Sequence, residues 1–226
     1  MEQKLKGKHI AVLVDNGFEQ IEMTDPIKAL REAGAEVSIV SKENKVKGWN
    51  HTEWGDEFTT DILLDKAIAA EFHGLLLPGG VMNPDKLRSN KTAVAFVTEF
   101  MRSKKPVAAI CHGPWTLLET GMVKGRKMTS YESIKTDMIN AGVEWVDQEV
   151  VVDQGLVTSR KPSDLPAFNK KMIEEFAEGV HSDARSDSDQ QTHSPNVKNE
   201  NQLRENIDDR SFQEQNELRT PAGENL

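Results

Sequence analysis

Cys111 is the only cysteine in the 226-residue chain, and it is followed directly by His112, Gly113 and Pro114. A thiol next to an imidazole is a pair that can do nucleophilic chemistry, with the sulfur attacking and the ring moving a proton. The surrounding pattern supports that use. Val107 to Ile110 is a short apolar run of the kind that forms a buried parallel strand, and Trp115 to Leu118 is an apolar, helix-like run. Strand, sharp turn and helix with a nucleophile at the turn describe a nucleophile elbow. A helix N-terminus brings partial positive charge and unpaired N–H groups, which favour thiolate over thiol. Gly113 permits close backbone approach, and Pro114 suits a first helical turn. A lone cysteine after an apolar strand is otherwise a small buried hydrophobe; the company of His, Gly and Pro at this junction favours the reactive reading.

The elements that must position this turn alternate between strand and helix. His9 to Val14 predicts a buried strand ending in Asp15-Asn16-Gly17. A helix over Glu19 to Ala33 follows, with Ile21, Met23, Ile27 and Leu30 on its inner side, Gly34 as its stop, and Pro26 predicting a kink or a late start. Ala35 to Ser41 predicts a second strand. Lys42 to Thr60 is polar, with Trp49, Trp54 and Phe58 scattered through it, and Asp61 to Asp65 is a short strand or turn. Gly74 to Leu77 predicts a third buried strand, ending in Pro78-Gly79-Gly80, where two glycines let the backbone approach a ligand. Lys91 to Ser103 is an amphipathic helix. Beyond the elbow come a helix over Ile134 to Ala141, short strands at 143–146, 150–152 and 156–159, the last two forming a hairpin, and a final helix over Pro162 to Ala177. The alternation gives a doubly wound α/β domain with a mainly parallel sheet and its site at the carboxyl ends of the strands.

Four segments resemble the PfpI family in order: Phe18-Glu19, Leu77-Pro78-Gly79-Gly80, Ala109-Ile110-Cys111-His112-Gly113-Pro114, and Thr129-Ser130-Tyr131 through Thr158-Ser159-Arg160, including 137–146. The resemblance covers about Lys8 to Glu178. It implies the flavodoxin-like, class I glutamine-amidotransferase-like fold and the activities described for that family: intracellular cysteine peptidase, protein deglycase and general stress protein. It implies Cys111 as nucleophile, and Glu19 as the glutamate that reaches it, sharing a proton if burial raises the carboxyl's pKa. Glu22, one turn on, is expected to be solvated or structural. The resemblance makes Gly80 and His112 backbone N–H donors to a developing oxyanion. It makes Asp85 an acid that orients His112 across a subunit interface. Asp85 is equally a helix N-terminal charge, and Arg88 would pair with it or with a partner chain. Arg160 would shape the pocket, and Tyr131 is expected to pack.

Composition narrows the reading. The formal charge is −9 and the sequence pI about 5.2, which argues against stable nucleic-acid binding. One cysteine fits a reducing compartment, the N-terminal residues lack a signal peptide's apolar core, and no run is long enough to span a membrane. These point to the cytoplasm. The six histidines show no metal-ligand spacing and there is no phosphate or dinucleotide fingerprint, so neither metal nor cofactor is expected. From His181 the composition changes: eight of 46 residues are apolar and acidic residues outnumber basic by ten to five. The expected division is therefore a domain at 1–180 and an acidic, disordered tail at 181–226.

The function expected is a cysteine-dependent stress-response hydrolase. It would act on methylglyoxal or glyoxal, or on their adducts with proteins or nucleotides, as a homodimer or higher homo-oligomer. A PfpI-type peptidase is the alternative enzyme. The non-enzymatic alternative is a redox sensor and holdase built on Cys111, since an accessible thiolate with no resolving cysteine is also an oxidation target.

Overall fold

A computed structural model describes residues 3–180. The chain divides into two units, Met1–Asp183 and Ala184–Leu226, and the acidic tail expected from His181 lies outside the described residues.

The elements follow in order: β1 (His9–Leu13), α1 (Gln20–Glu32), β2 (Glu36–Ser41), β3 (Lys45–Asn50), β4 (Glu53–Thr59), β5 (Ile62–Leu63), β6 (Gly74–Leu77), α2 (Met82–Ser89) and α3 (Lys91–Arg102). Then come β7 (Val107–Ile110), α4 (Pro114–Leu118), β8 (Lys127–Met128), α5 (Lys135–Asn140), β9 (Glu144–Trp145), β10 (Val150–Asp153), β11 (Leu156–Ser159) and α6 (Leu165–Glu178).

Seven strands form the main sheet in the order β10-β11-β7-β6-β1-β2-β5, all parallel except the edge pair β10–β11. From β1 the chain moves outward to β2, then returns past β1 to β6. This is the doubly wound, flavodoxin-like arrangement, and its reversal point lies between β1 and β6. Period-two alternation decides which side chains enter which core. Ile10 and Val12 of β1 join the apolar layer under α1 and α6, with Met23, Ile27, Leu30, Phe168, Met172 and Phe176. Ala11 and Leu13 point the other way, toward Phe96, Val97 and Phe100 of α3. Ala108 and Ile110 of β7 divide from Val107 and Ala109 in the same manner. Such residues contribute roughly 1.5–3 kcal/mol each when fully buried. Asn90 starts α3 by accepting the N–H groups of Thr92 and Ala93 at 2.9 and 3.3 Å, a cap of about 1 kcal/mol.

Three local expectations change. The polar stretch 42–60 holds an antiparallel hairpin, β3–β4, with Trp49 against Trp54 at 5.4 Å and Phe58 against Phe18 at 5.7 Å. One face of this hairpin is solvated, so its alternation is weak and its polarity reads as loop. Pro26 lies inside α1 without delaying its start. Ile21 is 40% exposed, whereas Glu22 is wholly buried: α1 presents Glu22, Met23, Pro26, Ile27 and Leu30 to the core.

Candidate active site

β7 delivers Cys111 to the carboxyl edge of the sheet in a left-handed backbone conformation, φ 63°. For a residue with a Cβ this costs roughly 1–2 kcal/mol. Neighbouring segments hold it there. The Cys111 N–H donates to the Ser159 carbonyl at 3.0 Å, and the Cys111 carbonyl accepts the Tyr131 N–H at 2.9 Å. Gly113 closes the turn by donating its N–H to the Ile110 carbonyl at 2.8 Å, and any Cβ at Gly113 would collide with the carbonyls of Leu77 and Ile110. Pro114 opens α4 at its first turn. The elbow thus owes its shape to a glycine, a proline and hydrogen bonds to β11 and to the loop after β8.

Three chain segments surround the sulfur. The loop after β6 brings Gly79 so close that a Cβ there would lie 2.5 Å from the Cys111 Cβ. Gly80, at φ 73°, and His112 direct their backbone N–H groups at the sulfur. From the first turn of α1, Glu22 pairs its carboxyl with the Cys111 side chain and accepts the Gly79 N–H at 3.1 Å through Oε2. Its Oε1 is buried with no nitrogen or oxygen partner among the described residues. Burial, reinforced by the nearby charge of Glu19, pushes the Glu22 carboxyl from 4.5 up to about 8. At neutral pH Glu22 is therefore an acid that can donate.

Burial also pushes the Cys111 thiol up, followed by the charge of an ionised Glu22, while the Gly80 and His112 N–H groups pull it down. Of these opposing effects, only the pull is visible in the sequence pattern of the elbow. With Glu22 protonated, the repulsion vanishes, its O–H can bond the sulfur, and the Gly80 and His112 N–H groups are placed to hold the thiolate once the sulfur's proton is drawn off.

The carboxyl on the thiol is thus Glu22 and not Glu19. Glu19 precedes α1 as its extended N-cap, is part-buried, and its Oε1 has no hydrogen-bond partner among the described residues. Spacing carries the difference. At about 100° per residue, Glu22 flanks the arc of Met23, Pro26, Ile27 and Leu30, about 40° from Pro26 one turn on, and Ile21 lies opposite that arc. Helical periodicity, applied to polar as well as apolar positions, is the signal that would have found Glu22.

His112 places Nδ1 3.2 Å from the Cys111 Sγ, because the left-handed turn carries both side chains to one side. Its Nε2 meets the Ser133 Oγ at 2.9 Å, its ring stacks on Tyr131 at 4.9 Å, and Trp115 meets it edge-on at 5.4 Å. Burial lowers the imidazole below its ordinary pKa, so it is neutral at pH 7. Asp85 does not reach it within the chain. It lies exposed on α2, and its carboxylate has no hydrogen bond or ion pair among the described residues. Arg88 leaves Asp85 for Glu119 at 2.6 Å and lies over the Trp115 ring. Arg160, expected to shape the pocket, is taken up by Asp164 and Asp147, at 2.9 and 2.6 Å. Among the described residues no cluster of three or more His, Cys, Asp or Glu could hold a metal, and no helix is long and apolar enough to cross a membrane.

A cysteine on a left-handed turn, an acid at its side and two N–H donors can add sulfur to a carbonyl and hold the resulting oxyanion. Known proteins agree with this chemistry. A putative cysteine protease of Bacillus subtilis is 44% identical over 169 residues, which cover 74% of this chain and 97% of that protein. A protein/nucleic acid deglycase of Escherichia coli is 46% identical over 170 residues, covering 74% and 96%. Among solved structures, DJ-1beta of Drosophila melanogaster superposes with a TM-score of 0.68 at 28% identity, covering 75% of this chain and 90% of that one. Residues 8–175 match the DJ-1/PfpI family, and the chain belongs to it.

Proposed function

We propose that this protein is a cysteine-dependent hydrolase of α-oxoaldehydes and of their adducts with amines, acting in the cytoplasm. The observation that carries the reading is the Cys111–Glu22 pair facing the N–H groups of Gly80 and His112. In this reading the Cys111 thiolate bonds to the aldehyde carbon of a free α-oxoaldehyde, and the carbonyl electron pair moves to oxygen. Gly80 and His112 hold that oxyanion, and Glu22 supplies its proton. With an amine adduct, the sulfur–carbon bond forms as the carbon–nitrogen bond breaks, and the amine leaves with a proton from Glu22 or His112. Both routes give one hemithioacetal. A proton then moves from that carbon to the adjacent carbonyl carbon, with Glu22 as carrier, while the hydroxyl proton passes to the former carbonyl oxygen, giving a 2-hydroxy thioester. Water cleaves the thioester, the sulfur–carbon bond breaks, and a 2-hydroxy acid is released. Glu19, adjacent to Glu22, tunes its charge rather than touching the sulfur.

The protein works in this reading as a homo-oligomer, with Asp85 of a second copy reaching His112. Its exposed, unpaired carboxylate supports that role. A peptidase reading is favoured by the name of the Bacillus relative, and the same nucleophile and donors would serve it.

The test compares the wild type and Cys111→Ser on methylglyoxal, a glycated peptide and a glycated nucleotide, following loss of carbonyl and gain of hydroxy acid. Wild-type turnover should fall by at least about 1000-fold in the variant, as expected when a nucleophile is removed. Equal turnover in the two proteins would overturn the reading. So would wild-type inactivity on all three substrates alongside cleavage of an unmodified peptide.

A further inference from the structure

The two glycines that carry the donor groups, Gly79 and Gly80, form the least constrained kind of backbone, since glycine has the most conformational freedom to lose. Their N–H groups are nevertheless aimed at two particular atoms, the Glu22 Oε2 and the Cys111 sulfur. Something must hold them. The strand before them ends at Leu77, and α2 after them starts at Met82.

Asn83, in the first turn of α2, is wholly buried, and its amide reaches back over this loop. Its Nδ2 donates to the Pro78 carbonyl at 2.9 Å and the Gly79 carbonyl at 3.2 Å. Its Oδ1 accepts the Asp15 N–H at the end of β1, at 2.7 Å. One side chain therefore ties the glycine loop, the end of β1 and the start of α2. The carbonyl it grips on Gly79 belongs to the peptide unit whose N–H is that of Gly80. Fixing that carbonyl fixes the direction of the N–H on the other side of the same planar peptide.

We propose that Asn83 is the positioning residue that aims the Gly80 N–H at the Cys111 sulfur, and so sets both the reactivity of the nucleophile and the hold on the oxyanion. It touches neither sulfur nor substrate and acts through the loop. An amide is the group required: a carboxylate could accept from Asp15 but could not donate to two carbonyls, and an apolar side chain could do neither. The second half of the inference, the hold on the oxyanion, rests on the hydrolase reading above; the first half does not.

The test uses Asn83→Ala and Asn83→Asp in the full chain. The Asp variant keeps the acceptor for Asp15 and the side-chain shape, and loses both donors. The first readout is alkylation of Cys111 by iodoacetamide as a function of pH, which needs no substrate. The rate near neutral pH should fall about tenfold and its midpoint should move upward, because a thiolate that loses a backbone donor is less favoured. The second is turnover of methylglyoxal, where kcat should fall about 100-fold with KM changed less than about threefold, the pattern of a lost transition-state donor. A folded variant with wild-type alkylation and wild-type kcat overturns the proposal. Should neither variant fold, amide exchange in the wild type decides. Protection of the Gly80 N–H comparable with the amides of β6 supports the strap, and exchange at the rate of an exposed loop overturns it. Absence of turnover in the wild type would sink the hydrolase reading and leave the alkylation result to judge Asn83 by itself.

Discussion

Two carboxyls lie buried at the carboxyl edge of the same sheet, and they are treated in opposite ways. Asp15, 3% exposed, receives the ammonium groups of Lys42 and Lys86 at 3.5 Å each and the Asn16 N–H at 2.7 Å. Glu22, wholly buried, receives backbone N–H groups of the glycine loop, faces a thiol, and has Glu19 as the nearby charge. Burial of a carboxylate must be compensated, either by opposite charge or by keeping the proton. Asp15 follows the first course and ties the β1 loop to α2. Glu22 follows the second and becomes an acid beside a nucleophile. The lesson is that burial alone does not mark a functional carboxyl. What marks it is burial without a cation, next to a group that can exchange a proton with it.

Glu22→Gln is the sharpest way to break this comparison, and it has the largest expected effect. Glutamine keeps an oxygen for the Gly79 N–H and loses the transferable proton. Turnover should fall by roughly 100-fold or more, in the range of lost general acid–base catalysis. Stability should move the other way at high pH. The folded carboxyl is raised from 4.5 to about 8, so the fold retains a proton that the unfolded chain gives up. The stability linked to that proton is fully present below about pH 4.5 and is lost as pH rises toward 8, by on the order of 4–5 kcal/mol across the window. The glutamine variant should lack this decline. Denaturant unfolding from pH 4 to 9 measures the gap between the two proteins, and curves that stay parallel would refute the assignment of a buried acid.

Asp15→Asn probes the compensated carboxyl and should do less. The ammonium groups it leaves belong to half-exposed lysines that water can resolvate, so the expected loss is about 1–2 kcal/mol of stability and shrinks at high salt. Turnover should change less than about threefold, since Asn83 holds the Asp15 backbone N–H and not its side chain. Thermal melts at low and high salt, with parallel turnover assays, separate the two carboxyls. A loss of activity comparable with that of Glu22→Gln would erase the distinction between them.

Much of the frame was legible because it depends on local pattern. β6 and β7 fall on the apolar runs Gly74 to Leu77 and Val107 to Ile110, since a fully buried parallel strand has no polar positions to blur its ends. The elbow was legible because a nucleophile followed by His, Gly and Pro has few other uses. What was not legible depended on contacts between distant segments. No pattern near Asn83 says that its amide will meet a carbonyl of the preceding loop and the end of β1. Ser133, 21 residues from His112, is likewise placed by the fold alone. The β3–β4 hairpin escaped because its outer face is solvated and its two glycines, Gly48 and Gly55, sit within the strands rather than at the turn. Glu22 is a different case: its pattern was present, and an acidic residue was simply not expected on the core face.

The smallest expected effect tests that last point directly. Ile21 and Glu22 are neighbours on the first turn of α1, and residue type alone would bury the isoleucine and expose the glutamate. The helix is rotated so that the reverse holds, with Ile21 40% exposed and Glu22 wholly buried. A substitution at an exposed helical site removes little packing, so Ile21→Gln should change stability by no more than about 0.5 kcal/mol and leave turnover within about twofold. If α1 were instead seated on Ile21, the same change would cost on the order of 2–3 kcal/mol, the value of a fully buried isoleucine, and would turn Glu22 away from the sulfur. Unfolding and methylglyoxal turnover of this one variant therefore distinguish the two rotations. A near-silent Ile21→Gln beside a crippled Glu22→Gln can arise only from a helix that turns its acid inward.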